Sequence, residues 1–273
     1  MPIDKVKIAH TRFGDVQYCV EGIGLPVIVS HGSGGGYDQG LFLARRFFPD
    51  NKIIAVSRFG YLKSDLPKEP TNKNQAEVFK AVMEQEKIDS AYIAGLSSGG
   101  PSAIEFAIKF PKECKGLIMI CAVSVPTLKR GVKVNALLKL MVRKDYLYDL
   151  VTFIFKNILT QMFGMSKKLV DRLTEEEKEF MTAIIEVTKP VSQRYKGIVN
   201  DWNLPRINEE EFGNIKTKTL VIHSIDDKLV SLEDALYTAE TIKGADKLIF
   251  EDGGHLMFTN HSTIRQKNKS FIV

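Results

Sequence analysis

The stretch Gly95-Leu96-Ser97-Ser98-Gly99 sets two adjacent serines between glycines. A serine hydroxyl becomes a nucleophile only when a base takes its proton and an acid orients that base. The spacing G-x-S-x-G selects Ser97, since Ser98 has Leu96 where a glycine is needed. Between a strand and a helix, such a stretch folds as a sharp, strained turn that pushes the central side chain off the sheet edge. The flanking glycines let neighbouring backbone approach without a β-carbon clash.

Three histidines follow Ser97. His255, in "EDGGHLMF", comes just after a strand-like "KLIF", where a loop can reach back over the sheet edge, and it is the expected base. His223 lies inside "LVIHS" and His261 opens a helical stretch, so both are read as structural or surface residues. His31 and His10 precede the serine, and His10 is read as a surface residue of a hairpin. The acid should follow "TLVIHS", where Asp226 and Asp227 stand side by side. Alternation ends with the strand, so spacing leaves the choice open: one accepts from His255 while the other caps the next turn or meets solvent. Backbone N–H groups of Ser33, in the glycine-rich "SHGSGGGYDQG", and of Ser98, at a helix N-terminus, are the candidate oxyanion donors. A phosphate cradle is disfavoured, since the loop has neither G-x-x-x-x-G-K-[ST] nor G-x-G-x-x-G with the helix start and acidic residue it requires.

These residues need elements to position them. Apolar alternation in "KVKIAHT" and "DVQYCVE" predicts an antiparallel hairpin. The runs "PVIVSHG", "KIIAVSRFG", "AYIAGLSSGG", "KGLIMICAVS", "TKTLVIHSIDD" and "DKLIFEDGGH" read as buried parallel strands, apolar on both faces. Helical patterns lie between several of them. In "NQAEVFKAVMEQEKI", Ala76, Phe79, Val82 and Met83 share one face. This alternation predicts an α/β fold with a mostly parallel, doubly wound sheet. From 125 to 212 the chain reads helical throughout, with Ser166 and Thr174 as N-caps and Glu177 completing a capping box. The expected organisation is therefore a core over 1–124 and 213–273, interrupted by a helical cap over 125–212.

Composition narrows the classes. With 44% apolar and 26% charged residues the chain is an ordinary globular one, and its net charge of +5 is spread along it. No nucleic-acid partner is expected. Cys19, Cys114 and Cys121 form no close pair and read as buried packing. The start "MPIDKVKIAH" lacks a signal-peptide core, and no apolar run approaches the ~20 residues a membrane span needs. The expectation is a cytoplasmic protein without stable membrane insertion; a homo-oligomer is left open.

Over nearly its whole length the chain resembles the α/β-hydrolase superfamily. The resemblance rests on "PVIVSHGSGGG", "SRFGYLKSD", "GLSSGG", "VIHSIDDKLV" and "GGHL", in that order. The family order of nucleophile, acid and histidine fits Ser97, an aspartate after "VIHS", and His255. The family pattern G-x-x-D-x-x-V-P places Asp227 at the acid, although Ser224 and Ser231 replace its glycine and proline. "SRFGYLKSD" lacks the second glycine of its loop, which is expected to alter the pocket wall beside Ser97. A serine at the elbow, where dehalogenases and epoxide hydrolases of the superfamily carry aspartate, implies acyl transfer to water with no metal or organic cofactor. The expected substrate is a small or medium carboxylic ester with an apolar part. A carbon–carbon bond hydrolase, or a ligand-binding sensor on the same scaffold, are the alternatives. The cap's apolar residues Leu137, Leu138, Leu140, Met141, Leu147, Leu150, Phe153, Ile154, Phe155, Leu159, Met162 and Phe163 are expected mainly to pack its helices, with some lining an apolar pocket.

Overall fold

The structure, a computed structural model, describes residues 6–125, 136–154, 165–204 and 209–273. The hairpin forms from β1 (Val6–Thr11) and β2 (Gly14–Glu21), paired antiparallel. Six parallel strands follow: β3 (Pro26–Ser30), β4 (Lys52–Val56), β5 (Ala91–Leu96), β6 (Cys114–Ile120), β7 (Thr219–Ser224) and β8 (Asp246–Phe250). They make one eight-stranded sheet in the order β1-β2-β4-β3-β5-β6-β7-β8. The chain winds outward from β3 in both directions, so β5 lies in the middle of the sheet.

The strands are apolar runs because both faces of the sheet are covered. Val27, Val29, Tyr92, Ala94, Ile118 and Ile120 join the core on one face, with Leu41, Ala44 and Phe47 of α1 (Tyr37–Phe47) and Ile264 of α11 (His261–Phe271). The residues between them, Ile28, Ile93, Leu117 and Met119, join the opposite core. There they meet α2 (Asn72–Gln85), α3 (Gly100–Lys109) and α10 (Leu232–Thr241), and all four expected α2 face residues are buried. Successive side chains of a strand point to opposite faces, so a strand between two helical layers must be apolar at every position. Fully burying one such isoleucine contributes about 1.5–3 kcal/mol.

Between β6 and β7 the described residues form helices and no strand: α4 (Ala136–Arg143), α5 (Asp145–Ile154), α6 (Lys167–Val170), α7 (Glu175–Val187), α8 (Tyr195–Asn203) and α9 (Glu209–Phe212). Ser166 caps α6 by accepting from the Leu169 N–H, and Thr174 with Glu177 closes a reciprocal capping box on α7. Each such cap satisfies N–H groups that a helix start leaves open, worth about 1 kcal/mol. Among the described residues, no helix is long and apolar enough to cross a membrane.

Candidate active site

Ser97 stands directly after β5, where a 3-10 turn (Ser97–Gly99) leads into α3. Its φ is +51°, in the left-handed region that a residue with a side chain rarely occupies. The glycines around it are dictated by space. A β-carbon at Gly95 would fall 2.9 Å from Gly100 Cα, and one at Gly99 would fall 2.1 Å from the Ser30 carbonyl oxygen. The strained turn is therefore held by close backbone packing on both sides.

Loops after β7 and β8 supply the partners. The Nδ1–H of His255 donates to Asp227 Oδ2 at 2.8 Å, which leaves Nε2 free to act as a base. Asp227 Oδ1 accepts from the backbone N–H groups of Leu229 (2.8 Å) and Val230 (3.1 Å). Burial alone would raise the Asp227 carboxyl; the His255 hydrogen bond and charge, with those two N–H groups, outweigh it and hold the pKa below its ordinary value.

Asp226 is half-buried and does more than meet solvent. Its Oδ1 accepts from the N–H of Gly254 at 2.8 Å and from the Ser224 hydroxyl, so it ties down the loop that carries His255. His223 is buried in β7, His261 is buried at the start of α11 among Phe47, Phe180 and Phe258, and His10 is exposed beside Asp15.

Ser97 and His255 line one cavity of about 290 Å³. Gly32, Ser33 and Gly34 form part of its wall, and a β-carbon at Gly32 would fall 2.9 Å from Ser97 Cβ. The glycine-rich loop thus lies against the elbow, and Ser33 lines the cavity beside Ser97. His31 fixes this loop from beneath. The Arg58 backbone N–H donates to its Nε2 at 3.0 Å, which leaves the proton on Nδ1 to be donated to the Gly32 carbonyl at 2.7 Å. Burial, reinforced by the nearby Arg58 and Arg194 charges, lowers the His31 pKa well below its ordinary value and keeps the ring neutral.

The remaining wall is mostly apolar: Leu43 and Phe47 of α1, Leu96, Ile120, Leu229 and Leu256, and from the helical insertion Val142, Tyr148, Ile184, Val191, Ile198 and Trp202, with Gln39 and Thr188 as its polar members. Sequence pattern selected other insertion residues. Leu140, Leu150 and Phe153 are exposed, and Met141 and Leu147 do not line the cavity. The side chains of Leu137, Leu138 and Ile154, and all of Phe155, Leu159, Met162 and Phe163, lie outside the described residues. The loop "SRFGYLKSD" also differs from expectation. Leu62 takes the place of the missing glycine with a φ of +55°, and it does not line the cavity. Its N–H donates to the Gln193 carbonyl (2.9 Å), so Leu62 touches the seat of the insertion and not the wall beside Ser97.

Sequence reasoning missed a buried charged cluster behind the elbow. Arg58 and Asp201 form a two-pronged ion pair at 2.6 and 2.7 Å, and both side chains are almost wholly buried. Tyr61 donates to the same Asp201 Oδ2 at 2.7 Å, and Ser98 Oγ donates to it at 3.1 Å. A lone aspartate in a stretch read only as helical carries no signal of this in sequence; the arginine of "SRFG" was the only hint. Cys121, Asp227 and His255 each bring one potential metal-ligand atom within 4.8 Å of the others. Asp227 is already engaged by His255, and the Cys121 thiol donates to Met257 Sδ at 3.2 Å, its pKa driven well up by burial and by the nearby Asp227 charge.

A family model described as alpha/beta hydrolase fold matches residues 26–262. This chain belongs to the α/β-hydrolase family. Two hydrolases align over most of its length: the Bacillus subtilis uncharacterized hydrolase YcgS, 23% identical over 90% of this chain and 89% of its own, and the Comamonas testosteroni 2-hydroxy-6-oxo-6-phenylhexa-2,4-dienoate hydrolase, 26% identical over 91% and 88%. The solved α/β-hydrolase fold protein from Nakamurella multipartita superposes with a TM-score of 0.79 at 25% identity, covering 98% of this chain and 99% of that one. In this hydrolase Ser97 follows β5, and the Asp227–His255 hydrogen bond joins the loops after β7 and β8.

Proposed function

We propose that the protein is a serine hydrolase that cleaves an uncharged carboxylic ester with an apolar acyl part. The observation that carries this is the opening of Ser97 and the Asp227-held His255 onto one apolar cavity. In this reading His255 Nε2 takes the Ser97 proton as Oγ attacks the ester carbonyl. The carbonyl oxygen becomes an oxyanion between the N–H groups of Ser33 and Ser98. His255 returns the proton to the departing alcohol, leaving an acyl-enzyme. Water then repeats the sequence, giving up its proton to His255 and its oxygen to the acid product, and Ser97 is regenerated. Asp227 keeps the imidazole in the tautomer that presents Nε2 and stabilises the imidazolium.

The lining favours an uncharged substrate. Among the described residues that line the cavity there is no lysine, arginine, aspartate or glutamate. A carbon–carbon hydrolase with the same triad is the second reading, favoured by the Comamonas relative. That relative's named substrate is a carboxylate, which would need a cation or several donors to replace its lost hydration. The two buried arginines among the described residues, Arg58 and Arg194, are already paired with Asp201 and Asp38.

A fluorophosphonate probe should modify Ser97, located by mapping the adduct, and Ser97→Ala should abolish both labelling and hydrolysis of p-nitrophenyl esters. Labelling that survives Ser97→Ala would overturn the assignment. Faster turnover of a dienoate than of any neutral ester would favour the second reading.

A further inference from the structure

The charged cluster behind the elbow does more than join the insertion to the core. One guanidinium, that of Arg58, reaches both loops that carry the proposed oxyanion donors. Its Nε donates to the His31 carbonyl at 2.9 Å, just ahead of Gly32-Ser33, and its Nη2 donates to Ser98 Oγ at 3.0 Å. A planar, rigid fork bonded at both ends fixes the separation of what it holds. The orientation of that fork is set in turn by Asp201, which accepts from both of its terminal nitrogens and from the Ser98 hydroxyl.

Asp201 belongs to α8, in the last turn of Tyr195–Asn203. A carboxylate there faces the negative end of the helix dipole and is buried as well, so its position is unfavourable unless a cation compensates it. Close packing seats α8 on the core. Gly197 lies so tightly on the Tyr61 ring that a β-carbon would fall 2.1 Å from it, and the Gly197 N–H donates to the Gly60 carbonyl at 2.9 Å. Seven residues before Asp201, Arg194, wholly buried, makes the reciprocal pair with Asp38 and donates to the Gly35 carbonyl at 2.6 Å. The insertion thus grips the glycine-rich loop at one end and the elbow at the other.

We propose that Ser98 and Asp201 are positioning residues for the oxyanion hole: with Arg58 they hold the Ser33 loop and the Ser98 N–H at a fixed separation, so that the hole is complete only while α8 is seated. This rests on the serine-hydrolase reading above. It gives the second serine of the elbow two functions, a backbone donor facing the substrate and a hydroxyl that anchors that donor from behind. It also makes a residue of the insertion part of what sets the rate.

The test compares wild type with Ser98→Ala, Ser98→Thr, Asp201→Asn and the double variant Ser98→Ala/Asp201→Asn. Each is assayed for kcat and KM on a p-nitrophenyl ester and for inhibition by an arylboronic acid, which becomes a tetrahedral anion on Ser97. Misplacing one oxyanion donor without removing it should lower kcat about 10–100-fold in Ser98→Ala, with KM nearly unchanged and boronate affinity reduced by the same factor. Ser98→Thr, which keeps the hydroxyl, should recover most of the loss. The double variant should be no slower than Asp201→Asn alone, because both act through one N–H. Wild-type kcat and boronate affinity in Ser98→Ala, a loss confined to KM, no recovery in Ser98→Thr, or additive losses would each overturn the proposal. If Asp201→Asn fails to fold, the two Ser98 variants decide it. Wild-type protein that takes neither fluorophosphonate nor boronate refutes the hydrolase reading and this inference with it; labelled wild type with an unaffected Ser98→Ala refutes the positioning role alone.

Discussion

Asp226 and Asp227 show how much one residue's displacement matters. They share a type and a loop, and no periodicity separates them; the family pattern of the acid loop pointed to Asp227. Their partners separate them in the structure: Asp227 holds the His255 ring, and Asp226 holds the backbone of Gly254 next to it. Replacing Asp227 by asparagine removes the charge that stabilises the imidazolium and permits the wrong tautomer, so kcat should fall by about 10⁴-fold with KM little changed. Asp226→Asn keeps an oxygen for the Gly254 N–H and should leave kcat nearly unchanged, whereas Asp226→Ala frees the histidine loop and should cost about tenfold. Steady-state kinetics on one chromogenic ester distinguishes the three. A larger loss in Asp226→Asn than in Asp227→Asn would show that the loop has been read in the wrong register.

Elements were legible wherever the pattern had a physical cause that a short window contains. The parallel strands announced themselves because a sheet covered on both faces must be apolar at every position, and the α7 capping box because all its groups lie within one turn. Contacts between distant elements left no such trace. Glu105, on α3, has the polar pattern of a surface residue yet is only 4% exposed, packed where α2, α9 and α3 converge. Burial, opposed by the charges of Lys73 and Lys109 and assisted by that of Glu211, raises its pKa to about 7. The folded protein therefore holds this proton more tightly than the unfolded chain does. Its stability contribution is fully present below the ordinary glutamate value and is lost as pH rises from there through about 7. Glu105→Gln should raise the thermal midpoint at pH 8 and change it little at pH 4, as differential scanning calorimetry would register. An equal shift at both pH values would mean that the effect is packing and not proton linkage.

For the molecule as a whole, the division of labour runs between sheet and insertion. The sheet edge carries Ser97, Asp227 and His255, and the insertion supplies much of the apolar wall they face. The motifs of the edge are short and local, so the sequence placed them; the wall is made of single side chains from four different helical stretches, so the sequence indicated its apolar character but not its members. Trp202, from the same helix as Asp201, is one of those members. A mostly apolar cavity of about 290 Å³ rewards each methylene it can bury, by about 0.8 kcal/mol at most, and penalises the first one that does not fit. Across p-nitrophenyl esters kcat/KM should therefore climb with acyl length, reach a maximum at a medium chain and fall beyond it. Trp202→Ala enlarges the cavity from the insertion side without touching the catalytic residues, and should move that maximum to a longer chain while slowing the acetate ester only slightly. Equal rates across all lengths in the wild type would show that the acyl chain lies outside the cavity. A maximum that stays put in Trp202→Ala would show that the chain runs toward α1, past Leu43 and Phe47, and that the insertion covers the leaving group instead.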